Sequence, residues 1–364
     1  MGFSCGFIGL PNVGKSTLFN ALTKAGVEAV NFPFCTIEPN TGIVPVPDPR
    51  LAVLAKMHKS KKIVPAVMKF IDIAGLVGGA SKGQGLGNKF LGHIRNVDAI
   101  AHVVRLFEDE NIAYVSGKLD PVEDMETVLT ELALADLEII ERRIAKTEKN
   151  TRTGDKAALK ELVMLNEFFK NLSEGTNIDV SDPITASFTK ELGLISTMPA
   201  FICANIDEKS ILDTEDIIST HPLNKFASKH NMEIIPVCAK LEEEITQLSS
   251  EEAEEFMKEM SLKESGLSRI IKTGYRLLNY ITFLTTGEDE TRAWTITKGT
   301  FAPQAAGKIH TDMERGFIRM EVISYEDIVQ YGSETEAKNH GKMRIEGKDY
   351  VMNDGDVVHV RFSV

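Results

Sequence analysis

The sequence predicts an α/β fold in three parts: a domain built on a parallel sheet, a helical insertion that interrupts it, and a compact strand-rich domain after it. Three observations carry this. Five short, nearly continuous apolar runs, several of them ahead of helical periodicity, mark strands buried on both faces. Residues 122–172 alternate apolar and charged positions at 3.6 spacing. From residue 281 onward, short strand patterns alternate with Gly/Asp turns. The 364 residues, at roughly 150 per domain, suit two or three domains. The pattern changes set their limits at 1–121 plus 192–280, 122–191 and 281–364.

In chain order, residues 3–8 (FSCGFI) form the first apolar run and a glycine-rich turn follows. The next stretch, STLFNALTKA, puts Leu18, Ala21, Leu22 and Ala25 on one helical face, giving strand, loop and helix. Further strands are expected at 66–72, 99–106, 199–204 and 234–238. The insertion reads as an αα-hairpin, two amphipathic helices joined by the turn TRTGD. Residues 138–161 hold seven Lys/Arg against five Asp/Glu, a mild excess that a solvated helical face explains. Residues 241–264 hold nine Glu and two Lys, another solvated surface, and GLSRIIKTGYRLLNY then resumes an amphipathic helix.

Composition narrows the class. Apolar residues make up 43 % and charged residues 26 %, while Gly plus Pro is 40 of 364, far from collagen-like or disordered chains. A net charge of −12 argues against a protein that binds polyanions over its whole surface. The cysteines, at 5, 35, 203 and 238, have no metal-ligand spacing and read as reduced thiols of a cytoplasmic protein. No apolar run approaches 18 residues, so no membrane contact is expected, and the chain is expected to act as a monomer.

The strongest chemical signal is Gly9-Leu10-Pro11-Asn12-Val13-Gly14-Lys15-Ser16-Thr17, a complete G-x-x-x-x-G-K-[ST] between a strand and a helix. Glycines let backbone N–H groups turn inward around phosphate oxygens, the helix adds its positive end, and Lys15 neutralises the β- and γ-phosphates. The Ser16 hydroxyl suits Mg²⁺. Asp72-Ile73-Ala74-Gly75 ends an apolar strand, where the carboxylate can hold Mg²⁺ directly or through water and the Gly75 N–H can sense the γ-phosphate. Thr36, 20 residues beyond Ser16 in a Pro/Gly-bounded loop, is the natural switch threonine that completes the Mg²⁺ shell. Lys15, Thr36 and Gly75 are therefore the candidates for assisting phosphoryl transfer.

Base recognition falls to Asn205-Ile206-Asp207-Glu208, where a guanine-selecting site would show Asn-Lys-x-Asp. An aspartate there accepts from guanine N1–H and the 2-amino group, and adenine offers neither, so Glu208 favours adenine. Asn205 is expected to meet the N6/N7 edge, Ile206 to cover a base face, and the backbone of Cys238-Ala239-Lys240 to frame the base. The residue after D-x-x-G is Leu76, which cannot orient a water. Six glycines between 75 and 87 surround Gln84, a weak candidate, and Asn12 can offer an oxygen to a monovalent cation such as K⁺.

At these residues the sequence resembles the YchF, or Obg-like ATPase, family of translation-factor-related P-loop NTPases. The likeness runs through MGFSCGFIGLPNVGKSTLFNALTKAG, NFPFCTIEPN, DIAGLVGGASKGQGLGNKFL, the Asn205/Glu208 pair and the C-terminal GDVVHVRFSV. It implies a Ras-like P-loop NTPase domain with an inserted helical coiled-coil arm and a C-terminal β-grasp (TGS-like) domain. It also implies ATP as the preferred nucleotide, phosphate binding by Asn12 to Thr17, a switch role for Thr36, a metal-side role for Asp72 and a base role for Asn205. An apolar residue such as Leu76 is usual in that family. The implied partner is the ribosome or a ribosomal subunit, in translation or stress responses, with the lysine-rich helical tip and the C-terminal domain as candidate contacts, RNA among their targets. Residues 291–364 hold ten Lys/Arg and eleven Asp/Glu, so a globally basic RNA-binding module is not evident. Two alternatives stay open: a nucleotide-gated adaptor with little turnover, and a conventional GTPase.

Overall fold

The computed structural model describes residues 3–29, 40–73, 91–114, 117–151 and 155–363. Thr36, Gly75, Leu76 and Gln84 lie outside them. The chain divides into two compact units, one of Phe3–Ile43 with Lys69–Ile270, the other of Val44–Met68 with Ile271–Val364.

Twelve strands are described: β1 (Phe3–Ile8), β2 (Thr41–Pro45), β3 (Lys62–Val64), β4 (Val67–Asp72), β5 (Ala99–Arg105), β6 (Ala200–Asn205), β7 (Ile234–Val237), β8 (Tyr280–Thr285), β9 (Glu290–Thr297), β10 (Phe317–Ser324), β11 (Arg344–Glu346) and β12 (Asp356–Phe362). The first sheet has the order β2-β4-β1-β5-β6-β7, with β1, β5, β6 and β7 paired in parallel. Its centre is apolar for a physical reason: every residue of β5 is buried, so the strand cannot alternate polar and apolar positions. Phe7 of β1 stacks on Phe70 of β4 with ring centroids 5.3 Å apart. Each such fully buried ring stabilises the fold by about 1.5–3 kcal/mol. The helix Lys15–Ala29 buries Leu18, Ala21 and Leu22, the face its spacing predicts. All five strands expected from apolar runs form within two residues of their predicted limits.

The insertion forms the helices Pro121–Thr151 and Lys156–Ser173, the second capped by the Asp155 carboxylate, which accepts from Ala157 N and Ala158 N. Ile140, Leu165, Phe168 and Leu172 meet in one cluster between them. Asp136, fully buried, accepts from Ile195 N at 3.0 Å and Ser196 N at 2.7 Å and so ties the first arm helix to the chain re-entering the sheet. Burial pushes its carboxyl pKa up, against the downward pull of those two hydrogen bonds.

The second sheet has the order β11-β10-β12-β8-β9-β3. β8 and β9 are antiparallel, β12 runs parallel to β8, and β10 is antiparallel to both β12 and β11. Phe283, Met320, Val322 and Val358 form its core with Ala302, Ala305 and Ala306 from the helix Ala302–Ile309. Its edge strand β3 comes from far upstream and pairs in parallel with β9, Lys62 opposite Glu290. The sequence limits place residues 44–68 with the nucleotide domain, yet they cluster with the C-terminal unit. A strand of three residues carries no readable period. The helix Pro49–His58 shares this unit, capped by Asp48 and held by an Arg50–Asp354 ion pair at 2.7 Å.

Candidate nucleotide site

β1, β4, β5 and β6 bring their C-terminal ends to one edge of the first sheet, the position where open α/β sheets bind ligands. The phosphate-loop sequence leaves β1 and enters the helix at Lys15. Two of its residues sit in the left-handed region, Asn12 at φ 67° and Gly14 at φ 91°. At Gly14 the space is closed as well: a Cβ would lie 2.2 Å from Asn205 Nδ2. Glycine is therefore required twice over, by dihedral and by contact.

Lys15 is buried, and its ammonium pairs with the Asp72 carboxylate at the end of β4. The spacing of 57 residues between the two motifs thus closes into one contact. Ser16 is exposed in the first turn of the helix, next in sequence to Lys15. Among the described residues no group of three or more His, Cys, Asp or Glu suits a metal. Thr17 is partly exposed and Val13 buried.

The base-side residues divide. Asn205 is 3 % exposed, its Nδ2 donating to the Val13 carbonyl at 2.9 Å and its Oδ1 accepting from Ala239 N at 3.1 Å. Both ends of the amide are engaged by protein, so the side chain works as a strut from the phosphate loop to the loop after β7; the expectation assigned it to the base edge. Ile206 is buried with Ile211, Cys238 and Leu241 and does not present a face to a base. Its apolar character is what the core beneath the loop demands. Glu208 opens the short helix Glu208–Ile211 and its Oε1 lies 2.7 Å from Lys240 Nζ. Cys238 is buried, which pushes its thiol pKa up, and Ala239 begins the helix Ala239–Ile245.

Sequence reasoning missed Arg105, at the end of β5 opposite Asn205 in register. Only 2 % exposed, it donates to the carbonyls of Phe107, Ile112 and Asp109 and to Tyr114 Oη, at 2.9 to 3.2 Å. Its guanidinium also lies 4.7 Å from the Phe107 ring centroid and 4.3 Å from that of Tyr114. The loop it organises offers the Ala113 carbonyl to Asn12 Nδ2 at 3.2 Å. The available signal is a charged residue closing a strand that is apolar at every earlier position but His102.

Residues 4–142 match the family model described as "50S ribosome-binding GTPase", and residues 280–363 match the YchF GTPase C-terminal model, described as "Protein of unknown function (DUF933)". The "Ribosome-binding ATPase YchF" of Escherichia coli O157:H7 is 52 % identical over 367 residues, and that of Haemophilus influenzae 51 % over 366, each over the full length of both chains. The chain belongs to the YchF family. A YchF protein of Bacillus subtilis, also called a ribosome-binding ATPase, is 49 % identical over 367 residues. The solved structure of the Schizosaccharomyces pombe YchF GTPase superposes with a TM-score of 0.89 at 38 % identity, covering 99 % of this chain and 98 % of that one. The YchF match accounts for the whole architecture: a P-loop NTPase domain with an added helical region and a C-terminal β-rich region.

Proposed function

We propose that the chain is a Mg²⁺-dependent ATPase that hydrolyses ATP to ADP and phosphate and couples this to ribosome-associated regulation of translation or stress response. The observation that carries the nucleotide reading is the buried Lys15 ammonium set against Asp72 beside the Gly14 turn. Lys15 would neutralise the β- and γ-phosphates, with the loop amides of Asn12 to Thr17 around them. Ser16, Thr36 and Asp72 would hold Mg²⁺, which supplies charge neutralisation at the transferring phosphoryl group. Asn12 Oδ1 is the oxygen offered to K⁺, since its amide nitrogen donates to Ala113. Gly75 N–H faces the γ-phosphate in this reading.

Adenine preference is supported by Glu208. A carboxylate that selects guanine must accept from two guanine N–H groups, whereas here Lys240 engages it at 2.7 Å. The ATPase relatives bear on the same reading, as does the resemblance to the Obg-like ATPases. We assign the arm as a coiled coil, the C-terminal unit as a TGS-like β-grasp, and both as ribosome contacts of a cytoplasmic monomer, with RNA the target they would touch there. A second reading, a nucleotide-gated adaptor with little turnover, is favoured by Leu76, which cannot orient a water.

Equilibrium binding of ATP and GTP to nucleotide-free protein in Mg²⁺ and K⁺, followed by phosphate release with and without ribosomes, tests these readings. ATP preference with ribosome-stimulated release is the expected result. Strong GTP preference would overturn the base assignment, and nucleotide-dependent ribosome binding without turnover would favour the adaptor.

A further inference from the structure

β5 and β6 end on one rung of the first sheet, where Arg105 stands opposite Asn205 and Leu106 N donates to Asn205 O at 2.8 Å. Both residues of that rung support the phosphate loop, by different routes. Asn205 reaches the Val13 carbonyl directly, at 2.9 Å. Arg105 reaches the neighbouring residue through a chain of contacts: its guanidinium gathers the 107–114 loop, and the Ala113 carbonyl of that loop accepts from Asn12 Nδ2 at 3.2 Å. Asn12 and Val13 are thus held from two directions.

Neither residue type on this second route is what packing alone calls for. Arg105 is 2 % exposed, and all four of its hydrogen bonds go to uncharged oxygens, three backbone carbonyls and a phenol. Burying a cation on neutral partners is unfavourable; what the arrangement achieves is a loop fixed at four points. Asn12 sits at φ 67°, a region that residues with a Cβ adopt at a cost and glycine adopts freely. The dihedral by itself would favour glycine, as it does at Gly14. The asparagine amide supplies what glycine cannot, a donor that ties this turn to Ala113.

The fit between the two loops is close. Asn12, Arg105, Ala113, Tyr114, Leu119 and Asp124 border a space of about 10 Å³, the lower limit for one water. A shift of the 107–114 loop is therefore passed on to the phosphate loop instead of being absorbed between them.

We propose that Arg105 is a positioning residue for nucleotide phosphate: acting through the 107–114 loop and Asn12, it holds the phosphate loop in the turn its ligand requires. This role rests on the reading that the loop binds nucleotide phosphates, and it requires neither adenine preference nor turnover.

A double-mutant cycle on the full chain tests it, with ADP affinity and hydrogen exchange over residues 9–14 of the nucleotide-free protein as readouts. Asn12→Gly keeps the dihedral and removes the tether; Arg105→Lys keeps the tethering atoms and loosens the loop that carries one of them. Each should speed exchange over 9–14 and weaken ADP by about fivefold, the effect of one lost hydrogen bond. Combined, they should still weaken ADP by about fivefold, not about 25-fold, because both break the same route. An arginine with a merely structural role would lower the urea midpoint without this coupling. Arg105→Gln, which removes the buried charge, takes the place of the lysine variant if that one does not fold. Additive losses, or wild-type affinity and exchange in either single variant, would overturn the role of Arg105 and leave the nucleotide reading in place. A wild-type chain that binds no ADP would overturn that reading, and the role with it.

Discussion

Asn205 Nδ2 donates to the Val13 carbonyl oxygen at 2.9 Å, joining the end of β6 to the phosphate loop. The same amide accepts from Ala239 N at 3.1 Å, so one buried side chain sets the separation of the two loops that flank the nucleotide site. Asn205→Ala leaves a buried carbonyl and a buried N–H without partners. It should cost about 2 kcal/mol or more in chemical denaturation. It should also weaken ATP and GTP together, because the phosphate loop loses its support; loss confined to one nucleotide would restore a direct base contact as the residue's main role.

The Lys15 ammonium is paired with the Asp72 carboxylate. Removing the ammonium in Lys15→Ala takes away a phosphate ligand and leaves the carboxylate without its counter-charge. Phosphate release should fall by about 10²-fold or more. Asp72→Asn, which keeps the shape and removes the charge, should instead raise the Mg²⁺ concentration needed for half-maximal release. A Lys15→Ala protein with normal affinity and rate would remove the residue from the site.

The loop over residues 107–114 depends on one guanidinium fork. Arg105→Lys keeps the charge but cannot reach three carbonyls and a phenol at once. Unfolding should be easier by about 2–4 kcal/mol, and hydrogen exchange over 107–114 should accelerate more than in the arm helices. If exchange in the loop stays at the wild-type rate, Arg105 does not organise it.

The phosphate loop is legible in sequence because its geometry is written in residue type: glycine where φ is positive, lysine where phosphate charge must be met, and apolar strands on either side. Both motifs follow strands of one sheet, but the contact between Lys15 and Asp72 emerges only in the fold, since the sequence assigns one to phosphate and the other to Mg²⁺. Other features are legible only in part. Asn205 is legible as a polar residue ending an apolar strand, but its ties to Val13 and Ala239 appear only in the fold. Ile206 is apolar whether it covers a base or a core. Residues 44–68 reveal their partner only through pairing with β9, a long-range event with no local pattern. Thr36 and Gly75 lie outside the described residues, so their assignments rest on sequence.

Glu334 stands between two histidines, its Oε2 3.1 Å from His359 Nε2 and its Oε1 3.7 Å from His58 Nε2. The His359 pKa is raised above the ordinary 6.5, chiefly by its hydrogen bond to Glu334. The folded protein therefore holds this proton more tightly than the unfolded chain. The contribution is complete below pH 6.5 and is lost as pH rises through the higher folded value. Because the imidazole is 42 % exposed, screening keeps the effect below about 1 kcal/mol. Urea denaturation at pH 6 and pH 8 should show this difference in the wild type and a smaller one in His359→Gln; equal pH dependence in the two would exclude the pair.

The hydrogen bond between Ser60 and Thr291 closes across 231 residues. During synthesis β3 leaves the ribosome long before β9 exists, and β12, an interior strand of the same sheet, is made later still. This sheet is therefore completed only after β12 has been made, and its early piece waits unpaired while the NTPase strands can already assemble. A fragment begun at residue 280 would match the C-terminal family model yet expose the flank of β9 that β3 covers, leaving it open to pairing with foreign strands.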